Sequence, residues 1–199
     1  MSSITDNILT YIQQRGNGAV FTPRDFIHLG SRSAIDTALC RLSQLGKVRR
    51  LSRGLYDLPR QHPLLGTLSP SLDDVATAIA RDTGNHIQIT GARALHLLGL
   101  TTQVPAKLVY LTSGPSRRIQ IGQSTLQLKH ATTKNLVGAG TVAGTVLQAL
   151  RYLGKNQLND ALITQLQKQL TAQDKDSLQT LIRFAPHWAR NTIHAITMR

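Results

Sequence analysis

The chain has 199 residues, 41% of them hydrophobic, and its 23 lysines and arginines against 10 acidic residues give a net charge of +13. Its single cysteine excludes an internal disulfide and a cysteine-based zinc site, and no apolar run reaches the roughly 18 residues needed to span a bilayer. We therefore expect a cytoplasmic protein with one or two domains. The charge points to a polyanionic partner, although charge alone does not distinguish nucleic acid from a membrane surface.

The chain begins with signals for two helices and a short strand. Isoleucines recur at helical spacing after the candidate N-cap Ser3, which predicts a first helix ending in the glycine-containing segment 15–18. A short strand is predicted to follow. Thr22 then precedes Pro23, a cap followed by proline at the first helical position, which predicts a short helix over residues 23–28.

A longer amphipathic segment comes next. Residues 31–33 offer a second N-cap, and residues 34–45 carry apolar side chains at three- and four-residue spacing, so one face is apolar and the other is polar. Gly46 is a natural stop. Cys40 lies inside this pattern and is expected to be a small buried residue rather than a reactive thiol.

Two short strands, over residues 47–51 and 55–58, are predicted after the helix. Helix, turn, helix and basic hairpin is the order of a winged helix-turn-helix, in which one helix enters the major groove and the ribbon lies along the backbone. The alternative is a small module for protein contacts whose arginines are simply solvated. The predicted groove residues are Arg32, Ser33, Thr37 and Arg41, and the predicted phosphate contacts of the hairpin are Lys47, Arg49, Arg50 and Arg53.

The segment 60–71 is rich in proline, glycine and serine, which marks a linker. It predicts a DNA-binding domain over residues 1–62 and a second domain over residues 63–199. The expected elements of the second domain are helices over 72–81 and 91–98, strands over 86–90, 107–112, 118–121 and 126–130, and helices over 142–153, 159–170, 174–184 and 186–198. The predicted fold class is α+β, with a winged helix-turn-helix followed by a small antiparallel sheet and a helical C-terminal part.

Motifs for catalysis are weak. Residues 138–143 fit a G-x-G-x-x-A dinucleotide pattern, but no long apolar strand precedes them, so close packing of a helix is the better interpretation. The histidines lack metal-ligand spacing, no G-x-S-x-G elbow occurs, and no acidic residue lies between Asp82 and Asp160. We therefore predict no catalytic residue, metal or cofactor, although a nucleic-acid-processing enzyme stays open as a rival.

Three segments carry a resemblance to a known family. The hairpin Arg49–Tyr56, the Gly-Ala-Arg-Ala-Leu segment over 90–100 and the strand with Tyr-Leu-Thr over 108–112 resemble AbiEi-type antitoxins of type IV toxin–antitoxin systems. The resemblance implies an N-terminal domain that binds repeats in its own promoter and represses the operon. It also implies a C-terminal domain needed to neutralise a nucleotidyltransferase-like toxin, directly or indirectly.

A second basic surface is expected in the second domain, against DNA or against an acidic face of the toxin, with solubility alone as the alternative. The alternative function for the whole chain is a winged-helix transcriptional regulator whose C-terminal domain senses a ligand. The residues of the second basic surface are Arg93, Arg117, Arg118, Lys129, Lys134 and Arg151.

Overall fold

The computed structural model describes residues 3–105 and 107–198, which divide into two compact units. The first unit runs to Asn85 and includes Gln120–Ser124, and the second unit comprises the remainder. The chain is α+β, as the sequence predicts. Residues 1, 2, 106 and 199, which the predicted domain ranges include, lie outside the described residues.

The first unit is a winged helix-turn-helix. Its elements are α1 (Ile4–Arg15), β1 (Val20–Phe21), α2 (Arg32–Gln44), β2 (Arg49–Ser52), β3 (Leu55–Asp57), β4 (Gln61–His62), β5 (Gly66–Thr67) and α3 (Leu72–Thr83). Helix α1 begins with a capping box, because the Ser3 hydroxyl accepts from the Asp6 N–H at 3.2 Å and the Asp6 carboxylate accepts from the Ser3 N–H at 3.1 Å. The short helix expected over 23–28 is a 3₁₀ turn, Pro23–Phe26.

The core of this unit lies between the helices and a three-stranded antiparallel sheet of order β1-β3-β2. Arg49 lies opposite Asp57, and Arg50 lies opposite Tyr56 before the register shifts. The turn between β2 and β3 uses Gly54 at φ +71°, a conformation that favours glycine. The largest fully buried side chains of the core are Ile8, Ile12, Phe21, Phe26, Ile35, Leu39 and Leu42.

The boundary of the first unit differs from the predicted one at residue 62. The segment after β3 forms the ribbon β4–β5, and α3 packs against β1. The α3 residue Arg81 forms an ion pair with Asp25, with Nε–Oδ1 at 2.5 Å and Nη2–Oδ2 at 2.9 Å. Because these contacts tie α3 to the helix-turn-helix, the unit ends after Asn85.

Asp25 is the centre of this connection. Burial raises the pKa of its carboxyl, but the hydrogen bonds from Arg81 and from the Thr22 N–H, together with the charge of Arg81, outweigh burial and leave the pKa of Asp25 below its ordinary value. Hydrogen bonding to Asp25 in turn raises the pKa of Arg81 against the effect of burial. The carboxylate is therefore held ionised in the folded unit.

The second unit combines a sheet with helices. Its elements are β6 (Ile87–Ile89), α4 (Gly91–Leu97), β7 (Leu108–Thr112), β8 (Arg117–Ile121), β9 (Ser124–His130), α5 (Val142–Leu153), α6 (Asp160–Gln169), α7 (Ala172–Leu181) and α8 (Arg190–Thr197). The end of β8 and the first residue of β9, within Gln120–Ser124, are the part of these strands that groups with the first unit. The strand order is β6-β7-β9-β8, with β6 antiparallel to β7 but β9 parallel to it. None of the helices in the described part of the chain has the length and apolarity that crossing a bilayer requires.

The parallel pair is a departure from the antiparallel arrangement expected for the three strands after residue 107. Strand β9 carries Leu126 and Leu128, both buried, whereas β8 begins with the exposed pair Arg117 and Arg118. The apolar strand therefore takes the inner position, and the charged strand lies at the edge, where cations disfavour pairing with another chain.

The glycine-rich segment before α5 packs closely, as the sequence interpretation favoured. Gly138 adopts φ +74°, and a Cβ there would lie 2.9 Å from the Cα of Gly144. The Thr141 hydroxyl caps α5 by accepting from the Gly144 N–H at 3.0 Å, and Gln88 accepts from the Gly140 N–H at 3.2 Å. These glycines permit close approach of backbone to backbone.

Candidate nucleic-acid interface

The amphipathic pattern of α2 divides this helix into a buried and an exposed face. Ile35, Ala38, Leu39 and Leu42 point into the core. The opposite face is exposed, and all the predicted groove residues lie on it. The residues of this face are Arg32, Ser33, Asp36, Thr37, Cys40, Arg41 and Gln44.

Local hydrogen bonds organise the start of this face. The Ser31 hydroxyl accepts from the Ala34 N–H at 3.3 Å, as expected of an N-cap. Arg32 is the first helical residue, and its Nε donates to both carboxylate oxygens of Asp36, at 3.1 and 3.0 Å. Asp36 was absent from the predicted site, although its position four residues after Arg32 was a usable signal.

Further along α2, Thr37 donates its hydroxyl proton to the Ser33 carbonyl at 2.9 Å. The Thr37 oxygen therefore remains available as an acceptor only. Ser33 and Arg41 are exposed. These three side chains provide hydrogen-bond acceptors, hydrogen-bond donors and a positive charge. Groups of these kinds contact base edges and phosphates.

The expectation that Cys40 is buried is wrong, because its side chain is exposed. The buried stripe of α2 passes through Leu39 and Leu42. Cys40 lies instead four residues after Asp36, on the same row of the helix surface. The chain's single cysteine is therefore located in the middle of the candidate interface.

The wing, which we define as the hairpin of β2 and β3 together with Lys47 just before it, places its cations in two different environments. Lys47, Arg50 and Arg53 are exposed. Arg49 instead donates to Asp57 through two bonds, Nε–Oδ1 at 3.0 Å and Nη2–Oδ2 at 2.6 Å. The phosphate contacts expected of the wing thus reduce to the three exposed cations.

Arg49 has a structural role that its position in the strand explains. It lies directly across from Asp57, whose side chain is 1% exposed, and its Nη2 also donates to the Leu68 carbonyl at 2.9 Å. Hydrogen bonding to Asp57 raises the pKa of Arg49, against the effect of burial. The pleat of β2 turns Arg49 towards Asp57 and leaves Arg50 exposed.

The expected second basic surface is also smaller than the sequence suggested. Arg117, Arg118, Lys129 and Lys134 are exposed, whereas Arg93 and Arg151 are half-buried. Nη2 of Arg151 donates to the carbonyls of Phe184 at 2.9 Å and Lys134 at 3.4 Å, and burial lowers the pKa of Arg151. Arg151 therefore connects backbone segments within the second unit.

A depression in the second unit bears on the ligand-sensing alternative. Its volume is about 360 Å³, at the small end of ligand sites, and its lining is mostly apolar. The Ser113 hydroxyl in its wall already accepts from the His86 N–H at 3.0 Å. Within residues 3–105 and 107–198, no group of three or more His, Cys, Asp or Glu side chains is placed to hold a metal ion.

A family model described as "Family of unknown function (DUF6088)" matches residues 7–178. The chain belongs to this family. No curated protein matches the chain. Among solved structures, it is similar to "Crystal structure of RV2827C protein from Mycobacterium tuberculosis", with 14% identity and a TM-score of 0.45 over 98% of this chain and 76% of that chain.

Proposed function

We propose that this DUF6088 protein binds double-stranded DNA through its first unit. Helix α2 enters the major groove with its exposed face, and the wing cations Lys47, Arg50 and Arg53 contact the adjacent phosphates. The observation that carries the proposal is the exposed, mostly polar face of a 13-residue helix followed by a cationic hairpin. A helix of this width and a two-stranded ribbon are both shapes that fit DNA.

The charges of this surface predict how the affinity depends on salt. Arg41 and the three exposed wing cations can each neutralise one phosphate. Four such contacts give a slope of about −3.6 in a plot of log K against log salt, since each contact contributes about 0.9. The same salt slope is expected for a duplex of any sequence, because phosphate contacts do not depend on the bases. The face of α2 adds the contacts that distinguish one base sequence from another.

The chain's resemblance to AbiEi-type antitoxins supports a more specific role. In this role, the bound DNA is a repeat operator in the protein's own promoter. The protein represses the operon and counteracts a nucleotidyltransferase-like toxin, directly or indirectly. The test is the neighbouring reading frame: a nucleotidyltransferase-like product whose growth arrest is relieved by co-expression of this chain supports the antitoxin role, and an unrelated neighbour that does not affect growth contradicts it.

Thiol labelling tests the DNA-binding proposal directly. Cys40 is exposed on the face of α2, and the chain has no other cysteine. Saturating duplex DNA at low salt should slow its reaction with a maleimide at least tenfold, because a helix seated in the groove excludes the reagent. Half-protection should occur at the DNA concentration that half-saturates fluorescence anisotropy.

The matched control moves the thiol away from the interface. In the double variant Cys40→Ser/Gln173→Cys the thiol lies on α7, at a position that is exposed in the second unit. DNA should leave its labelling rate within twofold of the free protein. An unchanged rate at Cys40 with the duplex bound would place the DNA elsewhere on the chain and refute the proposal.

A further inference from the structure

Helix stability does not explain the ion pair between Arg32 and Asp36. A cation at the first helical position is opposed by the positive end of the helix dipole, and the first turn of α2 contains no acidic residue. The two side chains are 59% and 50% exposed, so their pairing contributes little to folding. The acid also follows the base, which is the less favourable order on a helix.

The geometry of the pair leaves one edge of Arg32 available. Its Nε is engaged by both oxygens of Asp36, while neither terminal amino group donates to any residue that the structure describes. These two amino groups form a planar pair of donors with a fixed spacing. That pair matches the O6 and N7 acceptors of guanine in the major groove.

The ion pair with Asp36 also distinguishes Arg32 from the other cations of this surface. In the described part of the chain, Arg41, Lys47, Arg50 and Arg53 form no ion pair. A carboxylate beside a guanidinium repels phosphate, so this arrangement disfavours a backbone contact and leaves a neutral base edge as the better partner. The position agrees, because the N-terminal residues of a recognition helix are those that reach base edges.

We infer that Arg32 reads a guanine of the bound duplex through its two terminal amino groups and that Asp36 is a positioning residue that fixes the plane of the guanidinium. The inference rests on the proposed DNA binding and adds to it the recognition of one base pair. Fixing the guanidinium before binding reduces the side-chain entropy lost in the complex. Removing Asp36 should therefore reduce the preference for guanine more than the affinity for DNA in general.

The experiment selects sequences from a pool of duplexes with a randomised centre, using the full chain. The enriched duplexes should share a guanine, and replacing it with 7-deazaguanine, which lacks the N7 acceptor, should weaken binding about 5- to 150-fold. In Arg32→Ala the two duplexes should bind within twofold of each other. In Asp36→Asn the preference for guanine over adenine should fall several-fold while the salt slope stays unchanged.

Arg50→Ala is the matched control, since it removes an exposed cation that forms no ion pair with any described residue. It should lower the salt slope by about 0.9 and keep the guanine preference. If the enriched duplexes lack a shared guanine, or if Arg32→Ala keeps the full 7-deazaguanine penalty, the inference is overturned and DNA binding stands. If the chain binds no duplex saturably, both proposals are overturned.

Discussion

Two adjacent arginines of the wing should respond to mutation in opposite ways. Arg49 pairs with the buried Asp57, and its side chain is 31% exposed, whereas Arg50 is exposed and unpaired in the described residues. Arg49→Ala leaves a buried carboxylate and the Leu68 carbonyl without their donor. Removing one partner of a buried pair costs about 3–5 kcal/mol. With the partial exposure of Arg49, we expect a loss of about 2–4 kcal/mol in the free energy of unfolding.

The assay combines urea unfolding, followed by circular dichroism, with a salt titration of DNA affinity. Arg50→Ala should keep the stability within about 0.5 kcal/mol, as expected for an exposed position, and reduce the salt slope by about 0.9. Arg49→Lys should recover only part of the loss, because an ammonium group cannot donate in the bidentate geometry that a guanidinium provides.

A double variant tests whether the loss of stability in Arg49→Ala comes from the unpaired charge of Asp57. Arg49→Met/Asp57→Leu removes both charges and keeps similar volumes, so it should be more stable than Arg49→Ala and approach the wild type. If Arg49→Ala retains full stability and lowers the salt slope of DNA affinity as Arg50→Ala does, then Arg49 contacts phosphate and our assignment of its structural role is refuted.

Two further predictions concern the folded units. A carboxyl whose pKa is lowered on folding stabilises the protein above its unfolded pKa of about 3.9, and this contribution is lost as the pH falls through the folded pKa. Asp25→Asn, which weakens the pair with Arg81, should therefore cost about 1–2 kcal/mol at pH 7 and flatten the loss of stability below pH 4 in urea titrations; an unchanged acid profile contradicts this. Gly144→Ala should destabilise the second unit by about 1–3 kcal/mol in thermal unfolding, because the new methyl group overlaps the Gly138 carbonyl, and wild-type stability would contradict the close packing.

The sequence predicted the elements well because their signals are local. The cap at Ser31, the three- and four-residue spacing of apolar side chains in α2, and the glycine turn at Gly54 each act within a few residues, and the structure has each of them. The same holds for the segment before α5, where the sequence interpretation favoured close packing of a helix and the structure has it.

The partners of charged side chains could not be predicted from the same signals. Nothing in the local sequence distinguishes Arg49 from Arg50, because the difference arises from the strand register that places Asp57 opposite one of them. Arg151 is similar: the carbonyl of Phe184 that it contacts is 33 positions away along the chain. Cys40 was predicted to be buried but is exposed, because it lies one residue away from the buried stripe of α2.

The sequence by itself determined the fold class, the amphipathic α2 and the large positive charge, because these depend on composition and on periodicity within single elements. Only the tertiary structure decided that the first unit extends to Asn85, that β9 rather than β8 pairs with β7, and that Arg49 serves the fold while Arg50 remains exposed. These outcomes depend on ion pairs and strand registers between segments that are distant in the sequence. Such interactions form only when folding brings the segments together.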